Sequence, residues 1–235
     1  CAPVAEVDKQ MDGRIDVHIH TLLSDGALLP SEVVRRAASL GYAGLGFADH
    51  ADATNIQEII AALRKLIDAE GDTLPFPVVV GVELTHVAPR SIARLARQAK
   101  ASGAELVVVH GETLVEPVAA GTNRAAVECP DVDVLAHPGL ITLEEAQLAA
   151  AQGIYLEISA RRGHCLANGH VVAVAREAGA RLLVNADVHD PSDLIDLDMA
   201  RRVALAAGLD ASEAEAAVGC HPAALLARAL ERRNG

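Results

Sequence analysis

Asp16-Val17-His18-Ile19-His20, preceded by Gly13-Arg14-Ile15, alternates polar with apolar residues and runs into Thr21-Leu22-Leu23-Ser24-Asp25-Gly26. The alternation predicts a strand that ends in a loop. Side chains of a strand alternate faces, so Asp16, His18 and His20 are expected on one face and Ile15, Val17 and Ile19 on the other. Two imidazoles so spaced reach a single ion, and neutral imidazole is a common ligand of zinc-like metals. Read alone, the pair is equally well two hydrogen-bonded histidines at a strand end. The rest of the chain decides, because it repeats the arrangement.

Outward from this stretch, six more segments rich in Val, Ile or Leu read as strands: 42–48, 76–84, 105–110, 132–137, 154–159 and 181–187. With 14–20 they make seven. Between them, 30–40, 55–70, 90–102, 118–128, 142–152 and 166–178 carry Ala, Leu, Arg and Glu at helical spacing. Gly41, Gly71, Gly103, Gly153 and Gly179 are C-terminal signals, and Pro30 and Thr142 are starts. Residues 191–233 are helical and Ala-rich, broken at Gly208 and at Gly219-Cys220-His221-Pro222. Strand–helix alternation implies βαβ units and a mostly parallel sheet. Without a composition break, 13–235 form one domain behind a tail, 1–12. Its C-terminal helices are expected to cover one end or side, or to provide a homo-oligomer contact.

The polar residues separate an open sheet from a barrel. His18, His20, His110 and His137 end strands, Glu83 closes Val78-Val79-Val80-Gly81-Val82, Asp25 lies in the loop after the first strand, and His50, Asp187 and His189 follow strand segments. Six of the ten histidines sit at such ends, which core packing does not explain. A barrel of the TIM-like type gathers strand C-termini on one rim, whereas an open sheet spreads them along a line. A distorted seven-stranded α/β barrel is therefore expected. The ligand inventory is imidazole with three carboxylates (Asp25, Glu83 and Asp187) and no thiolate. It suits Zn²⁺, Mn²⁺ or Fe²⁺ better than Ca²⁺ or Mg²⁺. Nine candidates exceed a structural zinc site, so two or three ions are expected, with a carboxylate such as Glu83 bridging a pair. Such multinuclear sites hydrolyse by activating a shared water.

Composition narrows the classes. Of 235 residues, 51% are hydrophobic but only 2% aromatic, with no Trp, so the core is Ala, Val, Leu and Ile and base-stacking platforms are missing. A net charge of −12 argues against long nucleic acids and anionic membranes. Cys1, Cys129, Cys165 and Cys220 lack paired spacing and read as thiols of a reducing, cytoplasmic setting. No apolar run spans a bilayer and no secretory signal is legible. Met11 is read as the natural start.

His18-Ile19-His20, Ser24-Asp25-Gly26, Asp49-His50, Gly81-Val82-Glu83, His110, Ala136-His137-Pro138 and Asp187-Val188-His189 together resemble the polymerase-and-histidinol-phosphatase (PHP) family of metal-dependent phosphoesterases. The likeness runs from about 14 to 190 and fills all nine ligand positions, the third with Asp25. It implies a distorted seven-stranded barrel and a trinuclear centre. The resemblance gives His18, His20, Glu83 and Asp187 one ion, Glu83, His110 and His137 a second, and Asp25, His50 and His189 a third. It also implies in-line attack on phosphorus by a hydroxide shared between the first two ions, with His18, His20, Glu83, Asp187 and His189 as catalytic residues.

Other residues take second rank. Asn185 and Asp49 neighbour ligands and are candidates for fixing imidazole tautomers. Arg161, Arg162 and His164 leave the sixth strand toward the rim. There an arginine could grip phosphate and His164 could protonate the leaving group. His86 is a further substrate-binding candidate, while His170 and His221 read as structural. The leading function is hydrolysis of small phosphate monoesters, as in histidinol-phosphate phosphatases. The alternatives are a nucleotide or oligonucleotide phosphoesterase or exonuclease at the same centre, and a non-catalytic metal-binding barrel.

Overall fold

Short runs of β-branched residues fold into strands only where both faces are covered, and here helices cover one face while the strands' own side chains fill the other. The computed structural model describes residues 13–233; the predicted tail 1–12, with Cys1 and Met11, and residues 234–235 lie outside the described residues. The strand segments are β1 (Arg14–Ile19), β2 (Tyr42–Phe47), β3 (Asp49–Ala51), β4 (Val78–Val79), β5 (Gly81–Leu84), β6 (Leu106–His110), β7 (Val134–Ala136), β8 (Tyr155–Ser159) and β9 (Leu182–Asn185). All pair in parallel, in the orders β1-β2-β4 and β3-β5-β6-β7-β8-β9. A one-residue break separates β2 from β3 at Ala48, and another separates β4 from β5 at Val80. Each pair therefore continues a single predicted strand. All seven predicted strands form and lie side by side in chain order. A lone parallel bridge joins Ile19 to Val188, where the His20 amide donates to the Val188 carbonyl at 2.9 Å, bringing the segment after β9 against β1.

Two expectations are corrected. The strand predicted to stop at 48 continues through β3, so His50 lies on a strand and not in the loop after it. Nor does the first strand keep two clean faces. Ile15 and Val17 pack with Val79, Leu106, Val134 and Leu183, whereas Ile19 joins the larger cluster under the helices. The cause is local: pairing of β1 with β2 shifts register between Arg14 and Ile15 and again between Asp16 and Ile19.

The helices are α1 (Pro30–Ser39), α2 (Ile56–Glu70), α3 (Ile92–Ala101), α4 (Thr122–Val127), α5 (Leu143–Gln152), α6 (Asn168–Ala178), α7 (Leu197–Ala206), α8 (Ala211–Glu215) and α9 (His221–Arg233). Thr142 caps α5 in a reciprocal box with Glu145, and Gly153 and Gly179 end α5 and α6 in the left-handed conformation. Gly71 departs from expectation: it stays right-handed and passes α2 into a short 3₁₀ turn. The break predicted near Gly219 is a π turn over Ala216–Cys220 that leads from α8 into α9. No helix among the described residues is long and apolar enough to cross a membrane.

Two hydrophobic clusters result. The larger lies between strands and helices. The smaller joins Ile15, Val17, Val79, Leu106, Val108 and Val134 to Leu225, Leu226 and Ala229 of α9. Helix α9 crosses the strand N-terminal ends: Arg228 and Arg232 reach Asp133, and Arg233 reaches Glu105 and the Val78 carbonyl. Helix α9 thus covers an end, one of the arrangements expected for the C-terminal helices, and leaves the opposite rim to the polar residues. Tight strand approach depends on Gly81, where a Cβ would sit 2.6 Å from the Phe47 carbonyl oxygen and 2.8 Å from that of Leu106.

Candidate metal centre

His18, on β1, is wholly buried, and its Nδ1 lies 2.7 Å from Glu157 Oε2. A carboxylate only accepts, so Nδ1 carries a proton, and Nε2, which has the lone pair when the ring is neutral, turns toward the rim. There it stands 3.3 Å from Glu83 Oε1 and 3.8 Å from Asp187 Oδ1. His20 Nε2 lies 3.2 Å from Asp187 Oδ1, and its Nδ1 lies 3.8 Å from Asp25 Oδ1. His50 adds Nε2 at 3.0 Å from Glu83 Oε2. His137 Nε2 stands 3.6 Å from both Glu83 Oε1 and Asp187 Oδ2, and His189 Nε2 is 3.2 Å from Asp25 Oδ2. His110 Nδ1 faces the Gly111 carbonyl at 3.1 Å, which leaves its Nε2 as the ligand atom.

Local structure aims these groups. His137 and Asp187 have positive φ, 26° and 51°, a region costing non-glycine residues roughly 1–3 kcal/mol each. The loop that carries Asp25 is tied down by Asp49, whose carboxylate accepts from the Thr21 amide at 2.7 Å and from Ser24 Oγ at 2.7 Å. Gly26 lets that loop touch β1, since a Cβ would lie 2.6 Å from the His20 carbonyl. Asp49 therefore positions the loop and contacts no imidazole, a correction to its expected role. Asn185 acts at one remove: its Nδ2 donates to Glu157 Oε2 at 2.9 Å and its Oδ1 accepts the Val17 amide.

Several sets of ligand atoms converge: His20 with Asp25, His50 and His189; His18 with His20 and Asp187; His18 with Glu83 and His137; and His110 with His137 and His164. All nine expected ligands enter one of these sets. The groupings differ from those the resemblance implied: His20 also joins Asp25, His50 and His189, and His164 stands with His110 and His137 where Glu83 was expected.

Whether the donors suit a cation is answered by their bonding. His18 Nε2, both ring nitrogens of His20, His137 Nδ1 and Glu83 Oε1 are buried without a hydrogen-bond partner among the described residues. Unsatisfied buried groups are costly, and four of these, His18 Nε2, the two His20 nitrogens and Glu83 Oε1, face one another or neighbouring carboxylates at 3.2–3.9 Å without bonding, which fits ligands around cations. Burial holds the His20 imidazole down to about 4 and lowers His137 well below the usual histidine range, which keeps both neutral and able to ligate. Burial opposes charge on His18 too, but Glu157, Glu83 and Asp187 raise it well above the ordinary value. Against the effect of burial, the surrounding imidazoles hold Glu83, Asp25 and Asp187 below the carboxylate range.

Of the second-rank residues, Arg161 borders the centre, with Nε 3.7 Å from Asp187 Oδ2 and a side-chain bond to the Asp187 carbonyl. Arg162 is exposed and has no side-chain hydrogen bond or ion pair among the described residues. His164 is buried, stacks on His137 at 4.2 Å and pairs its Nδ1 with Thr113 Oγ1. His86, at φ 51°, pairs with Glu116. His170 and His221 bond the backbone carbonyls of Ile141 and Leu182, in keeping with structural roles. Sequence reasoning missed Glu157 and Glu116. Glu157 shares the inward alternation of Tyr155 and Ser159 on β8, a signal that was available; Glu116 stands in an irregular loop and had none.

The model of the PHP domain family matches residues 16–113. Uncharacterized protein MJ1295 of Methanocaldococcus jannaschii is 47% identical over 219 residues, covering 92% of this chain and 99% of that protein. Ribonuclease P protein component 3 of Methanosarcina mazei is 29% identical over 151 residues, 62% of this chain and 56% of that protein. A chain in the cryo-EM structure of archaeal ribonuclease P with mature tRNA superposes with a TM-score of 0.61 at 16% identity, over 94% of this chain and 90% of that one, a likeness of fold.

Proposed function

The chain belongs to the PHP-domain family, and from that premise we propose that it is a metal-dependent phosphoesterase acting on small phosphate monoesters. The observation that carries the reading is the set of buried, unbonded ligand atoms on His18, His20 and Glu83, with His137 Nε2 beside them at 3.6 Å from Glu83 and Asp187. A merely structural histidine cluster would satisfy them. His20, Asp25, His50 and His189 would hold one ion, and His18, Glu83, Asp187, His110 and His137 the others, in a total of two or three Zn²⁺, Mn²⁺ or Fe²⁺ ions. When bound, they supply an activated water and neutralise the phosphate's charge.

The chain's own residues do the rest. Arg161, 29% exposed at its side chain, offers a guanidinium to the phosphoryl oxygens beside Asp187. Glu157 keeps the His18 proton on Nδ1. Burial lowers the His164 imidazole, so it is a candidate to contact the substrate beside His137, and the departing alkoxide takes its proton from water as the P–O bond breaks. Arg162 and His86 are left as outer contacts for the substrate's organic part.

The test is elemental analysis of freshly purified protein beside turnover of p-nitrophenyl phosphate, with and without chelator. Bound transition metal with chelator-sensitive turnover is expected; a metal-loaded protein inert toward every phosphoester overturns the reading.

The likeness to ribonuclease P protein component 3 favours a second reading, in which the chain engages RNA or a protein–RNA assembly. The net charge of −12 and the full ligand set weigh toward the small-substrate reading. Comparing turnover of a nucleoside monophosphate, an oligonucleotide and an amino-alcohol phosphate separates the two. Free thiols at Cys165 and Cys220 support the proposed cytoplasmic setting.

A further inference from the structure

Glu116 lies in the irregular segment between β6 and α4, outside the nine-residue pattern, and its carboxylate meets three imidazoles. Oε2 is 3.0 Å from His86 Nε2 and 3.1 Å from His110 Nε2, and Oε1 is 3.3 Å from His164 Nε2. The His110 contact needs explaining. Its Nδ1 faces the Gly111 carbonyl at 3.1 Å and must donate there, so the neutral ring presents a bare lone pair at Nε2. A lone pair and a carboxylate oxygen at 3.1 Å repel unless positive charge lies between them.

A proton or a metal ion would serve. Two ligand atoms each about 2.1 Å from one ion lie about 3.0 Å apart at the right angle of an octahedral ion and about 3.4 Å apart at the tetrahedral angle. The His86–Glu116 and His110–Glu116 separations, 3.0 and 3.1 Å, match the right-angle spacing. His86 also adopts φ 51°, which a histidine enters at a cost and which turns its ring over that of His110, with centroids 4.8 Å apart.

We propose that His86, His110 and Glu116 hold the outermost of the two or three ions, the one to which His110 gives its single free lone pair, so that Glu116 and His86 are ligands beyond the nine of the family pattern. The inference rests on the metal-centre reading above, and it assigns His86 a role different from substrate contact. Glu116 and His86 are partly exposed, so this ion is open to exchange with solvent.

The experiment is equilibrium dialysis of wild type, E116Q and H86Q against Mn²⁺, followed by elemental analysis, with circular dichroism to verify folding. Each variant is expected to retain about one ion fewer per chain, or to bind its weakest ion at least about tenfold less tightly. Cobalt-loaded wild type and E116Q should differ in their visible absorption bands. Unchanged stoichiometry, affinity and cobalt spectrum in the folded variants would mean that a proton bridges His110 and Glu116, and would overturn the proposal. None of these readings depends on turnover, so a protein inert toward phosphoesters but stripped of one ion by E116Q would still uphold this site while refuting the phosphoesterase.

Discussion

His18 and Glu157, 139 positions apart in the chain, meet at 2.7 Å with both side chains inaccessible to solvent. The contact fixes the imidazole tautomer, and Asn185 steadies the carboxylate from behind. Glu157→Gln should keep the fold but let the imidazole turn or change tautomer. Metal affinity, read by competition with a chromophoric chelator, is expected to fall by about 10–100-fold.

His20 is the residue whose loss should be felt most widely. It takes part in two ligand sets, and both of its ring nitrogens are buried and unbonded. His20→Ala is expected to lower kcat/KM for p-nitrophenyl phosphate by at least about a hundredfold, the scale on which one lost electrostatic stabiliser acts. It should also abolish the rise in Tm that metal loading gives the wild type. Full activity and an unchanged metal-induced shift would return the centre to a structural cluster.

At the opposite end, Asp133 is a test of stability alone. Its buried carboxylate accepts from Lys100 Nζ at 2.6 Å, from Arg228 and Arg232, and from the Val107 amide at 3.0 Å. Asp133→Ala strands these cations beside the strand N-termini. A loss of about 3 kcal/mol, or about 6–12 °C in Tm, is expected, with turnover per folded molecule unchanged.

Acid sensitivity should trace in part to His221. Burial lowers its imidazole below the ordinary 6.5, although the Leu182 carbonyl that accepts from Nδ1 pulls the other way. Below 6.5 the unfolded chain takes up a proton that the folded chain refuses, so stability present above that pH is lost as pH falls through the folded value. Denaturant midpoints at about pH 7 and about pH 5 should therefore differ less in His221→Gln than in wild type.

Local pattern made much of this legible. Runs rich in Val, Ile or Leu marked all seven strands, and histidines and carboxylates at or just past their C-terminal ends marked the rim. Failures arose where register mattered. The double shift in β1 put Ile15 and Val17 together and sent Ile19 elsewhere, something that a strict two-residue alternation cannot register. Asp49 sits beside a ligand in sequence yet bonds Thr21 and Ser24, because its carboxylate turns toward the loop after β1.

Taken alone, the order of residue types determined that parallel strands would alternate with helices and that nine metal-seeking groups would stand at strand ends. Both depend on periodicity over a few residues, which a chain carries wherever it goes. The company each group keeps was decided only in three dimensions. Glu157 reaches His18 across the interior, Glu116 reaches His86, His110 and His164 from a patternless loop, and Val188 returns to Ile19. Such pairings follow from how the strands are arrayed around a common interior, and no local stretch of sequence contains that distance.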